Sequence, residues 1–113
     1  MAEEITQRQD LIKKIRDQNR PSILLVHMKQ CGHCVKYRPQ YEKIAKKYRD
    51  TGLKFFEMEK SVVSSSDLNK MDVKSYPTTL FIGSDFKTED DLKIVGNRPA
   101  DLENNISIFL SKN

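Results

Sequence analysis

The chain has 113 residues and two cysteines, Cys31 and Cys34, which are separated by only two residues. Residues three apart share a helix face, so these two sulfurs can close a disulfide without bending the chain far from usual disulfide geometry. A disulfide that encloses so short a loop adds little stability. The pair is therefore better suited to reversible oxidation and reduction than to stabilising the fold.

Two other interpretations of the cysteines have to be considered. They could be structural thiols, or they could bind a metal, either alone or in a zinc or iron–sulfur centre shared between two chains. Zinc takes four ligands, and only His27 and His33 could join the cysteines. Because His33 lies between the two cysteines, one tetrahedral site is geometrically awkward. We therefore expect no metal and no other cofactor.

The length predicts a single domain over residues 1–113. No apolar run approaches the roughly 20 residues of a membrane helix, so no membrane association is expected. The first five residues lack the features of a signal peptide and the last four form no retention signal, which predicts a cytoplasmic location.

The net charge of +4 is small, and the lysines and tyrosines of the second predicted helix point in different directions, so no nucleic-acid partner is expected.

The elements next to the cysteines must position them. The apolar run from Ser22 to His27 predicts a central strand that is covered on both faces. From Cys31 to about Arg49 the pattern is helical, and the face expected to pack in the core carries Tyr37, Tyr41, Ile44 and Tyr48. Pro39 lies inside this helix and should bend it near residues 35–37. The cysteines thus fall where a strand leads into a helix, the edge at which open α/β sheets place their sites.

The other predicted elements complete an α/β fold. The early strands are separated by helices and should be parallel, whereas the last two strands form an antiparallel hairpin. This order predicts a central mixed sheet of about four strands flanked by about four helices. The remaining elements are a helix over Glu3–Asn19, a strand over Leu53–Met58, a short helix from Ser64 or Ser66 to about Val73, strands over Thr78–Ile82 and Leu92–Val95, and a last helix from Pro99.

This order of elements, together with three motifs, resembles the thioredoxin superfamily, and within it a catalytic domain of the protein disulfide isomerases. The motifs are Cys31-Gly32-His33-Cys34, Val73-Lys74-Ser75-Tyr76-Pro77-Thr78 and Gly96-Asn97-Arg98. Pro39 stands where the family has its kinking proline. The resemblance covers roughly Ser22 to Lys112. It implies the thioredoxin fold and a thiol–disulfide oxidoreductase that forms, reduces or rearranges protein disulfides.

The resemblance also implies catalytic roles. Cys31 would be the nucleophile at the N-terminus of its helix, where backbone N–H groups and the helix dipole stabilise a thiolate. Cys34 would resolve the mixed disulfide. His33, when protonated, would add a positive charge beside Cys31. Arg98 would approach Cys34 and stabilise its thiolate.

The substrate-binding residues implied by the resemblance are Tyr76, Pro77 and Gly32. A cis peptide bond before Pro77 would expose the backbone of Tyr76, which could hold an extended substrate through main-chain hydrogen bonds. The implied partners are protein thiols and disulfides, with glutathione or a reductase or oxidase partner that resets the pair.

Four departures from the family pattern suggest an alternative. The chain has no tryptophan and therefore none before Cys31. Leu25 stands where the family has a buried acid, and the strand from Leu53 offers no mid-strand lysine to pair with such an acid. Ile94 replaces a frequent tyrosine. The alternative hypothesis is a thioredoxin-like binding module for protein clients, whose site is vestigial.

Overall fold

A five-stranded mixed sheet forms the centre of the computed structural model, which describes residues 1–112. The spatial order of its strands is β1-β3-β2-β4-β5. Strands β1 and β2 each run parallel to β3, whereas β4 runs antiparallel to both β2 and β5. The predicted α/β class with a mixed sheet is therefore confirmed. The strands are β1 (Ala2–Ile5), β2 (Ser22–His27), β3 (Lys54–Glu59), β4 (Thr78–Ile82) and β5 (Ile94–Val95).

Four α-helices are found within the described residues. They are α1 (Arg8–Leu11), α2 (Gly32–Lys47), α3 (Ser65–Lys70) and α4 (Pro99–Lys112). A π-helical turn, Ile12–Arg16, continues α1, and short 3₁₀ turns occur at Arg49–Thr51, Lys60–Val62 and Asp90–Leu92. Within residues 1–112, no helix has both the length and the apolar character that a membrane crossing requires.

The prediction of one helix over Glu3–Asn19 is wrong at its start. Ala2–Ile5 form an edge strand on β3, and Gln7 is still extended before α1 begins at Arg8. Only Ile5 of this strand is buried, so the sequence shows no strand alternation there. Backbone hydrogen bonding to the edge of β3 therefore determines this structure, and it adds a fifth strand to the four expected.

The other predicted elements are found with small shifts. Strands β2 and β4 have the predicted bounds, and β3 is displaced by one residue. The predicted strand over Leu92–Val95 keeps only its last two residues, because Asp90–Leu92 form a 3₁₀ turn. Helix α3 begins as predicted after Ser64, whose hydroxyl accepts the backbone N–H of Asp67, but it ends at Lys70. The last residue of the predicted domain, Asn113, lies outside the described residues.

Strand β2 lies between two apolar clusters and is buried along its whole length, as predicted. Successive side chains of a strand point to opposite faces, so β2 contributes to both clusters. Ile23 and Leu25 pack under α2 and α4, whereas Leu24 and Val26 pack on the other face. The strand that leads to Cys31 is therefore fixed on both sides.

Helix α2 is anchored to the sheet by two buried tyrosines of the predicted core face. The Tyr41 hydroxyl lies 2.7 Å from the Phe56 carbonyl oxygen and 3.1 Å from that of Ile23, so it contacts both β3 and β2. The Tyr37 hydroxyl lies 2.9 Å from Oγ1 of Thr79 on β4. Burial raises the pKa of Tyr37 to about 12 and that of Tyr41 well above its ordinary value. Both phenols therefore stay neutral at physiological pH.

We expect Tyr41→Phe to lower the free energy of unfolding by about 1–2 kcal/mol, because two buried carbonyl oxygens lose a shared donor. Urea denaturation would measure the change. Tyr48→Phe is the matched control, since its hydroxyl lies 3.3 Å from Glu103 in a partly exposed contact. The control should change stability by less than about 0.5 kcal/mol. Equal effects of the two substitutions would contradict this role of Tyr41.

Candidate active site

Cys31 and Cys34 form a disulfide where β2 leads into α2, with 5.2 Å between their Cα atoms. Cys31 is the N-cap residue of α2 and has an extended backbone. Its Sγ accepts the backbone N–H of Cys34 at 3.2 Å. A thiolate on Cys31 would accept the same hydrogen bond and would lie at the positive end of the helix dipole, which favours the anionic form.

The two cysteines differ in accessibility. Cys31 is 8% exposed and Cys34 only 1%. Gly32 and His33, between them, are both exposed, and a Cβ added at Gly32 would meet no heavy atom within 4 Å. A substrate can therefore reach the disulfide from the side of Cys31, over a surface with little side-chain bulk.

The segment around Pro77 lies beside Cys31, as expected from the resemblance. The Tyr76–Pro77 peptide bond is cis, and the Tyr76 carbonyl oxygen lies 3.7 Å from Cys31 Sγ. The Pro77 carbonyl oxygen accepts the backbone N–H of Gly96 at 2.8 Å. The loop before α4 is thus attached next to the same segment.

Arg98 lies at the start of α4, close in sequence to that attachment. Its guanidinium is exposed, and its Nε lies 2.6 Å from a carboxylate oxygen of Asp101. The structure therefore places Arg98 in an ion pair on the helix surface. Its approach to Cys34 stays a prediction.

Between α2 and β3, the structure contains a partly buried ion pair that the sequence does not reveal. Leu25 is fully buried and apolar, but its register partner on β3 is Glu57, which is 8% exposed. Arg38 of α2 donates to the Glu57 carboxylate from Nε at 3.1 Å and from Nη2 at shorter range. Arg38 Nη2 also lies 3.6 Å from Glu4 of β1. An acid is therefore present beside position 25, on the neighbouring strand.

His27, the last residue of β2, is part of this group. It is 5% exposed, and its Nε2 has no hydrogen-bond partner among residues 1–112. This atom lies 3.8 Å from a Glu4 carboxylate oxygen and 3.9 Å from one of Glu57. Burial and the nearby Arg38 lower the pKa of His27 below its ordinary 6.5, although Glu57 and Glu59 oppose this. At neutral pH the imidazole is therefore uncharged.

Glu4, His27 and Glu57 also bring one donor atom each within 4.8 Å of one another, which is a spacing that a metal ion could use. However, the Arg38 guanidinium contacts both carboxylates and already supplies the positive charge. This group is consequently best described as a partly buried ion pair with an adjoining neutral histidine.

A cleft of about 400 Å³ connects this group with the disulfide. It is lined by Cys34 and Val35 of α2 and by His27 at the end of β2, together with Glu4, Met28, Lys29, Gln30, Arg38 and Glu59. A larger cavity of about 510 Å³ lies on the other face of the sheet, against Leu24 and Leu80, and does not include either cysteine. The smaller cleft is therefore the one relevant to cysteine chemistry.

Comparison with known proteins relates the chain to thioredoxins. The thioredoxin family model matches residues 3–108, whereas a search of curated proteins found no match. Thioredoxin of Malassezia sympodialis has a TM-score of 0.82 at 18% identity, over 97% of this chain and 91% of that one. Thioredoxin of Fasciola hepatica has a TM-score of 0.80 at 24% identity, over 95% and 98%. Mitochondrial thioredoxin 3 of Saccharomyces cerevisiae has a TM-score of 0.76 at 23% identity, over 94% and 93%. These structures share the fold.

The lowered pKa of His27 predicts how stability depends on pH. The unfolded chain takes up this proton more readily than the folded protein, so the free energy of unfolding should fall as the pH drops below 6.5. His27→Asn should remove this part of the dependence, since asparagine does not titrate. Urea denaturation between about pH 7.5 and 5.5 would measure it. Parallel pH profiles for the wild type and the variant would contradict the assignment.

Proposed function

The chain belongs to the thioredoxin family of thiol–disulfide oxidoreductases, and we propose that it oxidises and rearranges the disulfides of other proteins, as protein disulfide isomerase domains do. The observation that carries this proposal is the Cys31-Gly32-His33-Cys34 motif at the start of α2, with Cys31 the more exposed of the two cysteines. The alternative, a binding module with a vestigial site, has less support, because both cysteines are in place at the start of α2.

The proposed oxidation proceeds by two exchanges. A substrate thiolate attacks Cys31 Sγ, the Cys31–Cys34 bond breaks, and Cys34 leaves as a thiolate. A second substrate thiolate then attacks the substrate sulfur of the mixed disulfide, and Cys31 leaves as a thiolate. The substrate dithiol is oxidised by two electrons and the cysteine pair is reduced. Oxidised glutathione or an oxidase partner would restore the disulfide, whereas a reductase partner would favour the opposite direction.

His33 supports the oxidising direction. It is exposed beside Cys31, and its protonated imidazole would stabilise the Cys31 thiolate. Stabilising this thiolate favours the reduced pair over the disulfide and so makes the disulfide a stronger oxidant. The N-terminus of α2 also stabilises the Cys31 thiolate and therefore also makes the disulfide a stronger oxidant.

Substrate recognition would depend mainly on the backbone. The open surface over Gly32 and the Tyr76 carbonyl oxygen beside Cys31 Sγ leave room for an extended segment. Val35, which is 68% exposed, offers apolar contact near the disulfide in a chain that has no tryptophan. Recognition of this kind suits many protein substrates, because main-chain hydrogen bonds carry little sequence information.

The proposed roles of the two cysteines predict that substituting each of them has a different effect. Cys31→Ser should abolish both insulin reduction and the refolding of scrambled ribonuclease, since no accessible nucleophile is left. Cys34→Ser should instead accumulate mixed disulfides through Cys31, visible as adducts on non-reducing gels. The double variant is the control and should form no adducts. A wild-type protein without either activity would contradict the proposal and favour the binding module.

The reduction potential separates the isomerase type from a thioredoxin-like reductase. We expect the Cys31–Cys34 pair to equilibrate with glutathione at about −180 mV, where protein disulfide isomerase lies, rather than at about −270 mV. His33→Pro should move the potential towards the more negative value, because the charge beside Cys31 is lost. A wild-type value near the thioredoxin potential would refute the isomerase type and leave the family assignment intact.

A further inference from the structure

The thiol of Cys34 presents a chemical difficulty that the proposed function does not resolve. A thiol must lose its proton to become a nucleophile. Cys34 is only 1% exposed. Burial disfavours a charged thiolate, so the attack of Cys34 on a mixed disulfide requires a nearby group that accepts its proton.

The cleft beside Cys34 contains few groups that can act as a base. Lys29 and Arg38 are cations and accept no proton. The Glu59 carboxylate accepts hydrogen bonds from Ser61 and from the Lys29 backbone, which lowers the pKa of this acid to about 2 and makes it a weak base. Burial and Glu57 raise the pKa of Glu4, but this carboxylate is largely exposed and one of its oxygens faces Arg38. The remaining candidate is His27.

We propose that His27 accepts the proton of Cys34 when Cys34 resolves a mixed disulfide on Cys31. The proposal rests on the thiol–disulfide exchange described above. Its basis is that His27 Nε2 is buried, has no hydrogen-bond partner among residues 1–112, and belongs to a residue that lines the same cleft as Cys34. A water molecule in the cleft can carry the proton across.

The charges around His27 suit this role before and after proton transfer. Arg38 faces the imidazole from α2 and, together with burial, keeps it neutral and able to accept a proton. Glu4 faces it from β1, and Glu57 and Glu59 face it from β3. These carboxylates stabilise the imidazolium once it has formed. His27 is therefore neutral before the transfer, and its positive charge after the transfer has carboxylates nearby.

The proposed step balances as follows. The proton of Cys34 passes to His27 Nε2, and the thiolate attacks Cys31 Sγ. The bond between Cys31 and the substrate sulfur breaks, and the substrate sulfur leaves with the electron pair. The substrate is reduced, the cysteine pair is oxidised, and His27 returns its proton to solvent. In the reverse direction His27 protonates Cys34 as the disulfide opens.

A stopped-flow experiment with the reduced protein isolates this step. The aromatic disulfide dithiobisnitrobenzoate reacts with Cys31, releases one coloured thiolate and leaves a mixed disulfide. The attack of Cys34 then releases a second coloured thiolate. We expect His27→Asn to leave the first release unchanged and to slow the second roughly 10-fold or more near pH 7. The difference should narrow as the pH rises, because hydroxide can then remove the thiol proton without the help of His27.

Lys29→Gln is the matched control, because it changes a charge on the same cleft without removing a proton acceptor. Both releases should keep their wild-type rates in this variant. His27→Phe provides a second test should the asparagine variant fold poorly.

Three results would contradict the role of His27 or the proposed thiol–disulfide exchange. A second release with wild-type rate and pH profile in His27→Asn would overturn the role of His27. So would an equal loss of both releases at every pH, since that indicates a general disturbance of the site. A wild-type protein that shows no second release would instead refute the proposed exchange itself.

Discussion

The position of α2 on the sheet is the constraint on which the site depends. The hydroxyl of Tyr41 contacts carbonyl oxygens of both β2 and β3, and that of Tyr37 contacts Thr79 on β4. These contacts set the helix across three strands, so that its first turn lies over the end of β2. Cys31 consequently becomes the N-cap, with the Cys34 N–H directed at its sulfur. The favourable environment for a thiolate is thus a result of core packing several residues away.

The absence of an acid at position 25 is easier to understand from the register of the sheet. Leu25 and Glu57 are partners on neighbouring parallel strands. Two carboxylates at these positions would lie side by side in a buried region, and like charges at such distances destabilise one another. Leu25 therefore permits the buried Glu57, and Arg38 compensates its charge from α2. The chain keeps a buried acid, but on the adjacent strand and with a different partner.

The parts of this arrangement that sequence reasoning identifies are those with strong local signals. The two cysteines, the continuous apolar run of β2 and the segment around Pro77 each indicate their structure within a few residues. Strand β1 lacks such a signal, because only Ile5 of its four residues is buried. The Arg38–Glu57 pair is formed between different elements, so neither residue reveals it alone. A charged residue within the apolar strand β3, and an arginine one turn after Cys34, were the available indications.

The disulfide therefore has two chemically different sides. On the side of Cys31, the exposed Gly32 and His33 and the Tyr76 carbonyl oxygen offer access to an extended chain. On the side of Cys34, a cleft leads to His27, whose Nε2 lies 3.9 Å from the buried Glu57 carboxylate. Because of this division, different substrates can bind on the side of Cys31 without altering the surroundings of the buried Cys34 thiol. Because substrate contact and proton movement use different surfaces, a substitution on one side can change affinity while the rate of the resolving step is preserved.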